Sequence, residues 1–196
     1  MSRQNKIKIL SFLLLIIFCI SLAFYDFFSL PSNLSKQTHN IKTYKTLIKT
    51  PEIGTLTTID NKKILLEELQ EELILVNFWA SWCAPCIEEL PSMLNLIKKH
   101  KGKIALLTIS TDDKIEDIRK FRNKLKITGT EQNIYWVWDE GKNISLNIFN
   151  TLKVPETIII TKKPDSFSDT GKKELFIVKK VIGSMDWSQF NPHNLY

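Results

Sequence analysis

Two cysteines three positions apart carry the clearest chemistry in this sequence. They are Cys83 and Cys86, in the stretch NFWASWCAPC at residues 77–86, with Ala84 and Pro85 between them. Two thiols at this spacing could bind a metal ion, form a static structural crosslink, or exchange electrons with another protein. Their position in the fold helps to decide among these three uses.

The flanking residues predict that the pair lies where a buried strand becomes a helix. Residues 73–79 form a short apolar run without helical spacing, which indicates a buried strand. After the pair, apolar residues recur at steps of three and four: Ile87, Leu90, Leu94 and Ile97. This pattern predicts a helix that ends before Gly102 and has Cys83 at its N-terminus.

A helix N-terminus favours the ionised form of a cysteine. The unpaired N–H groups and the helix dipole lower the thiol pKa from about 8.5 toward or below neutrality. We therefore expect Cys83 to be the attacking thiolate. Cys86, one turn further into the helix, is expected to be less exposed and to keep its proton until a mixed disulfide forms. It would then attack Cys83 and release the reduced partner.

The other two uses of the pair remain as alternatives. Zinc binding requires further ligands, and the histidines His39, His100 and His193 show no metal-ligand spacing. A static disulfide is possible in an oxidising compartment. The presence of Trp82 before the pair and Pro85 within it favours exchange chemistry.

The apolar segments after the pair alternate between strand and helix patterns, which predicts an α/β fold with a mixed sheet. Further strands are expected at residues 104–109, 134–138, 157–161 and 175–182, with a polar loop at 162–174. A second helix is expected near residues 113–125, with Asp113 as its N-cap and Glu116 as the capping partner. A short helix is expected at residues 144–149.

The excess positive charge of the chain lies in its N-terminal segment. The formal net charge is +6, and residues 1–50 hold seven Lys or Arg residues against Asp26 alone. Residues 51–196 hold twenty residues of each sign. A nucleic-acid-binding protein would concentrate positive charge on its folded domain, so this pattern argues against that class.

An uncharged apolar run at residues 9–25 follows three basic residues at the N-terminus. Such a run is either a short membrane-spanning helix or the apolar part of a secretion signal. The pattern Ser21-Leu22-Ala23 could be cleaved. We expect an uncleaved single-pass anchor over residues 1–28, with the basic tip in the cytoplasm and the remainder on the extracytoplasmic or periplasmic side. A polar linker is expected at residues 29–50 and one folded domain at residues 51–196.

The motifs of this domain resemble the thioredoxin superfamily, specifically its membrane-tethered branch of TlpA/ResA/CcmG-like thiol-disulfide oxidoreductases. The run VNFWASWCAPCIEELP resembles the family's strand, active site and first helix. Residues 138–158 resemble the segment that leads to its cis-proline, and residues 183–187 resemble its closing segment. The resemblance covers residues 51–190 and implies a thioredoxin-like fold, with a central mixed β-sheet flanked by helices.

The resemblance also implies roles for residues beyond the cysteines. Asn77 stands where thioredoxin has a buried acidic residue, and Glu89 matches the acidic residue that ResA-like members carry near their cysteines. We hypothesise that Glu89 accepts the proton of Cys86 during resolution. Pro155 is implied to be cis and opposite the cysteines, which would leave the backbone of the preceding residue free to pair with a partner strand. The expected substrate-contacting set is Trp82, Ala84, Pro85, Val154 and Glu156.

Together these features predict a membrane-anchored extracytoplasmic protein disulfide reductase that needs no cofactor or metal beyond its own redox-active disulfide. The implied substrates are oxidised protein thiols, such as the haem-attachment cysteines of an apocytochrome c or a maturation factor. A transmembrane thiol-electron carrier would re-reduce the protein. The pair lacks the internal histidine of strong oxidases, which favours a reductase. The alternatives are a disulfide oxidase or isomerase of the same fold, and a non-catalytic tethered binding module.

Overall fold

The computed structural model describes residues 40–127, 131–167 and 173–195, together with Phe18 and Ser21. The predicted anchor at residues 1–28 lies outside the described residues, apart from those two positions. Within the described residues, no helix is long and apolar enough to cross a bilayer.

The described residues contain eight strands. Their ranges are Asn40–Lys49 (β1), Leu56–Thr57 (β2), Lys63–Ile64 (β3), Leu73–Trp79 (β4), Ile104–Ser110 (β5), Ile134–Trp138 (β6), Glu156–Phe167 (β7) and Lys173–Ile182 (β8). Six of them form one mixed sheet in the order β1-β8-β7-β4-β5-β6, and β2 pairs with β3. Strands β4, β5 and β6 run parallel, whereas β7 pairs antiparallel with β4 and β8, and β1 pairs antiparallel with β8.

In residues 40–127, 131–167 and 173–195, two α-helices accompany the sheet, Ala84–Lys99 (α1) and Ile115–Lys124 (α2). A π-helix spans Asn143–Ile148, and shorter 3-10 helices span Leu66–Glu68, Glu140–Lys142, Trp187–Gln189 and Pro192–Leu195. The strands predicted at residues 73–79 and 134–138 have these bounds in the structure. The strand predicted at 157–161 is longer, since β7 continues through much of the predicted polar loop.

Strand β4 lies at the centre of the sheet and is buried along its whole length. Its side chains alternate between two apolar clusters, because successive residues of a strand point to opposite faces. Leu75 belongs to the cluster that contains Leu90 of α1, whereas Ile74 and Val76 belong to the other cluster. The end of β4, from which the cysteine turn departs, is therefore fixed by packing on both faces of the sheet.

The structure corrects the predicted linker at residues 29–50. Residues 40–49 form β1, which pairs with β8 at the edge of the sheet, so the domain starts ahead of residue 51. An edge strand pairs through its backbone on one side only, and charged residues are common there. The segment NIKTYKTLIK is rich in lysine and threonine, and this polar composition concealed the strand in the sequence pattern.

Helix α2 begins without the predicted cap. Lys114 occupies the N-cap position, and no side chain caps the helix there. Asp113 is instead exposed and lies 3.5 Å from the ammonium of Lys142, while Asp112 is buried. The predicted N-cap was therefore wrong, because neither carboxylate of this acidic pair bonds to the first turn of the helix.

Candidate active site

Cys83 is the N-cap residue of α1. Its backbone is extended, and its sulfur accepts a hydrogen bond from the backbone N–H of Cys86 at 3.3 Å. Pro85 fits the first turn of the helix, since the N–H that proline lacks would have no partner within the helix there. The sequence thus places a sulfur atom among the unpaired N–H groups of a helix N-terminus, where negative charge is stabilised.

A disulfide bond joins Cys83 to Cys86, whose Cα atoms lie 5.3 Å apart. Cys83 is the more exposed of the two, at 6% against 1% for Cys86. Trp82 is 69% exposed directly before the pair, Ala84 is exposed, and Pro85 is half-buried. A partner therefore has access to Cys83 first, and these three neighbours border the approach.

Glu89 is a buried carboxyl group three residues after Cys86 on α1. Its Oε1 accepts a hydrogen bond from Nδ2 of Asn77 at 2.9 Å. Its Oε2 accepts bonds from the backbone N–H of Met185 at 3.0 Å and from Nε1 of Trp187 at 3.4 Å. Burial outweighs these three donors and raises the pKa of Glu89 to about 7. The group is therefore poised to take up or release a proton near neutral pH.

Asn77 links the Glu89 carboxyl group to the neighbouring strand β7. Its Nδ2 also donates to Oγ1 of Thr157 at 3.0 Å, and Asn77 and Thr157 are paired across β4 and β7. Asn77, at the position where thioredoxin has a buried acidic residue, thus donates a hydrogen bond to the carboxyl group of Glu89. The acid of this site comes from the helix, as the resemblance implied, and the strand supplies a hydrogen-bond donor to it.

The peptide bond between Val154 and Pro155 is cis, as the resemblance implied. Glu156 pairs with Phe78, so Pro155 comes beside the end of β4 from which the cysteine turn departs. Val154 is half-buried and packs against both apolar clusters. In the described part of the chain, its backbone groups make no hydrogen bond. They remain available to a strand of a partner protein.

Glu156, which was predicted to contact a substrate, has a side chain that is turned away from the surface. It is buried, and its Oε1 lies 2.9 Å from the ammonium of Lys180 on β8. The same oxygen accepts a hydrogen bond from the hydroxyl of Thr151. The carboxylate therefore faces inward and fastens the loop before β7 to the sheet. Lys180 supplies the opposite charge, because an unpaired charge at this depth would be costly.

Known proteins of similar sequence agree with this arrangement. Residues 49–164, more than half of the chain, match the AhpC/TSA family. The chain belongs to the AhpC/TSA family. It is also 33% identical over 135 residues to a thiol-disulfide oxidoreductase ResA of Bacillus cereus, which covers 68% of each protein. Within the AhpC/TSA family, the chain therefore groups with ResA.

One further relative in sequence and one solved structure of similar fold define the extent of the likeness. The thioredoxin-like protein YneN of Bacillus subtilis (strain 168) is 28% identical over 111 residues, which is 55% of this chain and 61% of YneN. The chain thus spans less than two thirds of that relative's length. The crystal structure of StoA from Bacillus subtilis gives a TM-score of 0.50 at 19% identity, covering 76% of this chain and 96% of StoA. At this identity StoA shows the fold alone, which is thioredoxin-like.

The two histidines that the structure describes in this AhpC/TSA domain, His100 and His193, lie away from the cysteine pair, and His39 lies outside the described residues. Across residues 40–127, 131–167 and 173–195, no group of three His, Cys, Asp or Glu residues is placed to hold a metal ion. His100 and His193 instead line a shared cavity of about 490 Å³, together with Leu73 and Ile104 at the starts of β4 and β5. The turn that carries the cysteines follows the opposite end of β4.

Two polar residues of the candidate active site have roles that the sequence analysis missed. Lys180 supplies the counter-charge of Glu156, and Asp112 accepts hydrogen bonds from the turn before Cys83. The place of Asp112 could have been anticipated, because neighbouring parallel strands end at the same edge of a sheet. Lys180 had no such signal, since its partner lies on another strand.

Replacing Lys180 by methionine is expected to destabilise the domain by about 3–5 kcal/mol, because it leaves Glu156 charged and buried without a cationic partner. The side chains of Lys180 and Glu156 are only 16% and 5% exposed, so solvent screens their interaction little. Urea unfolding of the purified variant measures the change. The double variant K180M/E156Q should recover most of the loss, and Lys179→Met serves as the matched control. Equal stabilities of K180M and K179M would contradict the prediction.

Proposed function

We propose that this protein is a membrane-anchored, extracytoplasmic thiol-disulfide oxidoreductase that reduces disulfide bonds in other proteins. The observation that carries the proposal is the Cys83–Cys86 disulfide at the N-terminus of α1, with the more exposed sulfur at the N-cap. Membership of the AhpC/TSA family and the similarity to ResA support the same chemistry.

The first step is attack by the thiolate of Cys83 on a disulfide of the substrate protein. A bond forms between Cys83 and one substrate sulfur, the substrate disulfide breaks, and its second sulfur leaves as a thiolate. The helix N-terminus supports this step, since it stabilises the attacking thiolate before reaction. The backbone of Val154 supports it as well, because it is free to hold an extended substrate segment beside the pair.

The second step is attack by Cys86 on the sulfur of Cys83. The Cys86 thiol must lose its proton, and we assign Glu89 as the acceptor because it lies on the same buried face of α1. The new Cys83–Cys86 bond releases the substrate's first sulfur as a thiolate. The substrate has then gained two electrons, and the protein has become its disulfide form. A pKa of about 7 suits this exchange, since a general base works best near the ambient pH.

The partners follow from the direction and the compartment of this exchange. The substrates are oxidised protein thiols, with the haem-attachment cysteines of an apocytochrome c or a maturation factor as the expected class. A transmembrane thiol-electron carrier returns the protein to the dithiol form. The absence of a histidine between the cysteines supports reduction, and the apolar run at residues 9–25 supports anchoring of the domain to the membrane.

Equilibration of the cysteine pair with glutathione of known redox state tests the direction of exchange. We expect a reduction potential at or below about −220 mV, in the range of glutaredoxins and thioredoxin. A potential near about −120 mV, that of a strong oxidant, would instead establish an oxidase. The variant C83S/C86S is the control for signals that do not come from the pair.

A further inference from the structure

Asp112 is a buried carboxylate that holds the turn before Cys83. Both of its oxygens accept the backbone N–H of Ser81, at 3.1 and 3.0 Å, and Oδ1 also accepts the hydroxyl of Ser81 at 2.8 Å. The hydroxyl of Ser110, at the end of β5, donates to Oδ2 at 2.6 Å. Only 3% of Asp112 is exposed. The carboxylate thus ties the end of β5 to the residue before Trp82.

No cation neutralises this carboxylate in the described part of the chain. The ion pairs there involve other acidic residues, and the neighbouring Lys142 lies against Asp113 instead. All donors to Asp112 are neutral N–H and O–H groups. Its negative charge is therefore not balanced by a cation at this buried position.

The carboxylate lies close enough to Cys83 to affect its ionisation. The backbone N–H of Cys83 donates to the carbonyl of Ala80 at 3.1 Å, which closes the turn of residues 80–83. Ser81 lies in this turn and bonds to Asp112 at 3.0 Å, and the ends of such a turn lie within about 7 Å, so the Asp112 charge is on the order of 10 Å from the Cys83 sulfur. At an effective dielectric constant of about 20, a unit charge at this distance changes a thiol–thiolate equilibrium about tenfold.

We propose that Asp112 is a positioning residue that fixes the cysteine turn and whose negative charge makes the Cys83–Cys86 pair a stronger reductant. The dithiol form carries the Cys83 thiolate, whereas the disulfide form carries no charge at that sulfur. Asp112 repels the thiolate, so it raises the free energy of the dithiol form relative to the disulfide. A strong oxidant has a stabilised dithiol form, so a destabilised dithiol form makes the pair a stronger reductant. The inference rests on the proposed function, whose direction it explains.

Other charged groups lie on the elements that adjoin the cysteine turn and Asp112, and the test has to hold them constant. Glu88 and Glu89 lie on α1, Lys153 lies in the loop before Pro155, and Asp139 follows β6. Asp139 is buried, and its carboxylate accepts the N–H groups of Ile144 and Ser145. The Glu156–Lys180 pair lies on β7 and β8. Single substitutions at position 112 leave all of these groups in place.

The decisive variant is Asp112→Asn. Asparagine keeps the size of the side chain. Its Oδ1 can still accept the N–H and the hydroxyl of Ser81, and the hydroxyl of Ser110 can turn to accept from its amide. We expect the pH profile of iodoacetamide alkylation at Cys83 to shift about one unit lower. At pH 8 the dithiol–disulfide equilibrium with glutathione should move about tenfold toward the dithiol, which corresponds to about 30 mV.

Two control variants separate charge from position. Asp113→Asn removes an exposed carboxylate at the next residue and should leave both measurements unchanged, because solvent screens that charge. Ser81→Ala keeps the buried charge and removes one hydroxyl contact, so it should also leave the alkylation profile unchanged. A profile of S81A that shifts as far as that of D112N would overturn the electrostatic role.

The wild-type measurement distinguishes failure of the inference from failure of the proposed function. If wild-type Cys83 reacts rapidly at neutral pH but D112N has the same profile and potential, the inference about Asp112 is wrong and the exchange mechanism stands. If wild-type Cys83 reacts no faster than an ordinary free cysteine, the proposed function fails, and the role of Asp112 fails with it.

Discussion

Cys86→Ser is expected to trap a substrate protein in a stable mixed disulfide with Cys83. The first attack needs only Cys83, whereas release of the substrate needs the thiol of Cys86. Cys83→Ser should abolish turnover, with a loss of at least about 10³-fold, because it removes the nucleophile itself. Non-reducing electrophoresis of cells that express C86S, followed by mass spectrometry of the slower band, measures the trapping and identifies the substrate.

Cys19, the third cysteine of the chain, needs to be removed from these variants. In a Cys19→Ser background every adduct of C86S must form through Cys83. The matched control is the double variant C83S/C86S, which keeps the domain but has neither sulfur. Retention of cellular function in C83S would contradict the proposed enzymatic function and favour a tethered binding module. A C86S band that persists without Cys83 would contradict the assignment of the nucleophile.

The strand-turn-helix unit of this site could be predicted because its pattern is local. Strand β4 is an unbroken apolar run, since it lies at the centre of the sheet, and α1 repeats apolar residues at helical steps. The turn between them needed no distant information. Strand β1 was missed for the opposite reason, because its place depends on pairing with β8 near the other end of the chain.

The same contrast between local and distant information holds for the side chains of the site. The positions of Cys83, Cys86 and Glu89 follow from their spacing on one helix. The surroundings of Glu89 could not be predicted, because two of its donors belong to Met185 and Trp187, close to the C-terminus. The inward orientation of Glu156 likewise depends on a lysine from another strand. Sequence spacing therefore indicates the candidate reactive residues, and tertiary contacts determine the surroundings of each one.

Substitution of Glu89 is expected to change two measurable quantities, the stability of the fold and the rate of resolution. Its burial makes the ionised form unfavourable in the folded protein, which affects stability. If it accepts the proton of Cys86, as we propose, it also affects the rate of resolution. A residue with a structural role alone would change stability without changing the kinetics. Measuring both quantities in one variant therefore separates a proton acceptor from a buried carboxyl group of no catalytic use.

Glu89→Gln is expected to flatten the pH dependence of stability. Because the folded pKa of about 7 exceeds the ordinary value of 4.5, the folded state binds more protons between these pH values. The free energy of unfolding therefore falls as pH rises from 4.5 to 7, by about 3 kcal/mol. In the variant the free energy of unfolding should lose this dependence on pH, even if the amide changes it by a constant amount at every pH. Urea unfolding of the disulfide form at several pH values measures it.

The same variant is expected to slow resolution about a hundredfold at pH 7, the lower limit for loss of a general base. Ellman's reagent separates the two steps, because attack by Cys83 releases one thionitrobenzoate and attack by Cys86 releases the second. In E89Q the first release should keep its rate, while the second should rise with pH only as the Cys86 thiol ionises by itself. Glu88→Gln, an exposed neighbour on the same helix, is the matched control. A second release with the wild-type pH profile would remove Glu89 from the mechanism, and the raised pKa would then be only a consequence of burial.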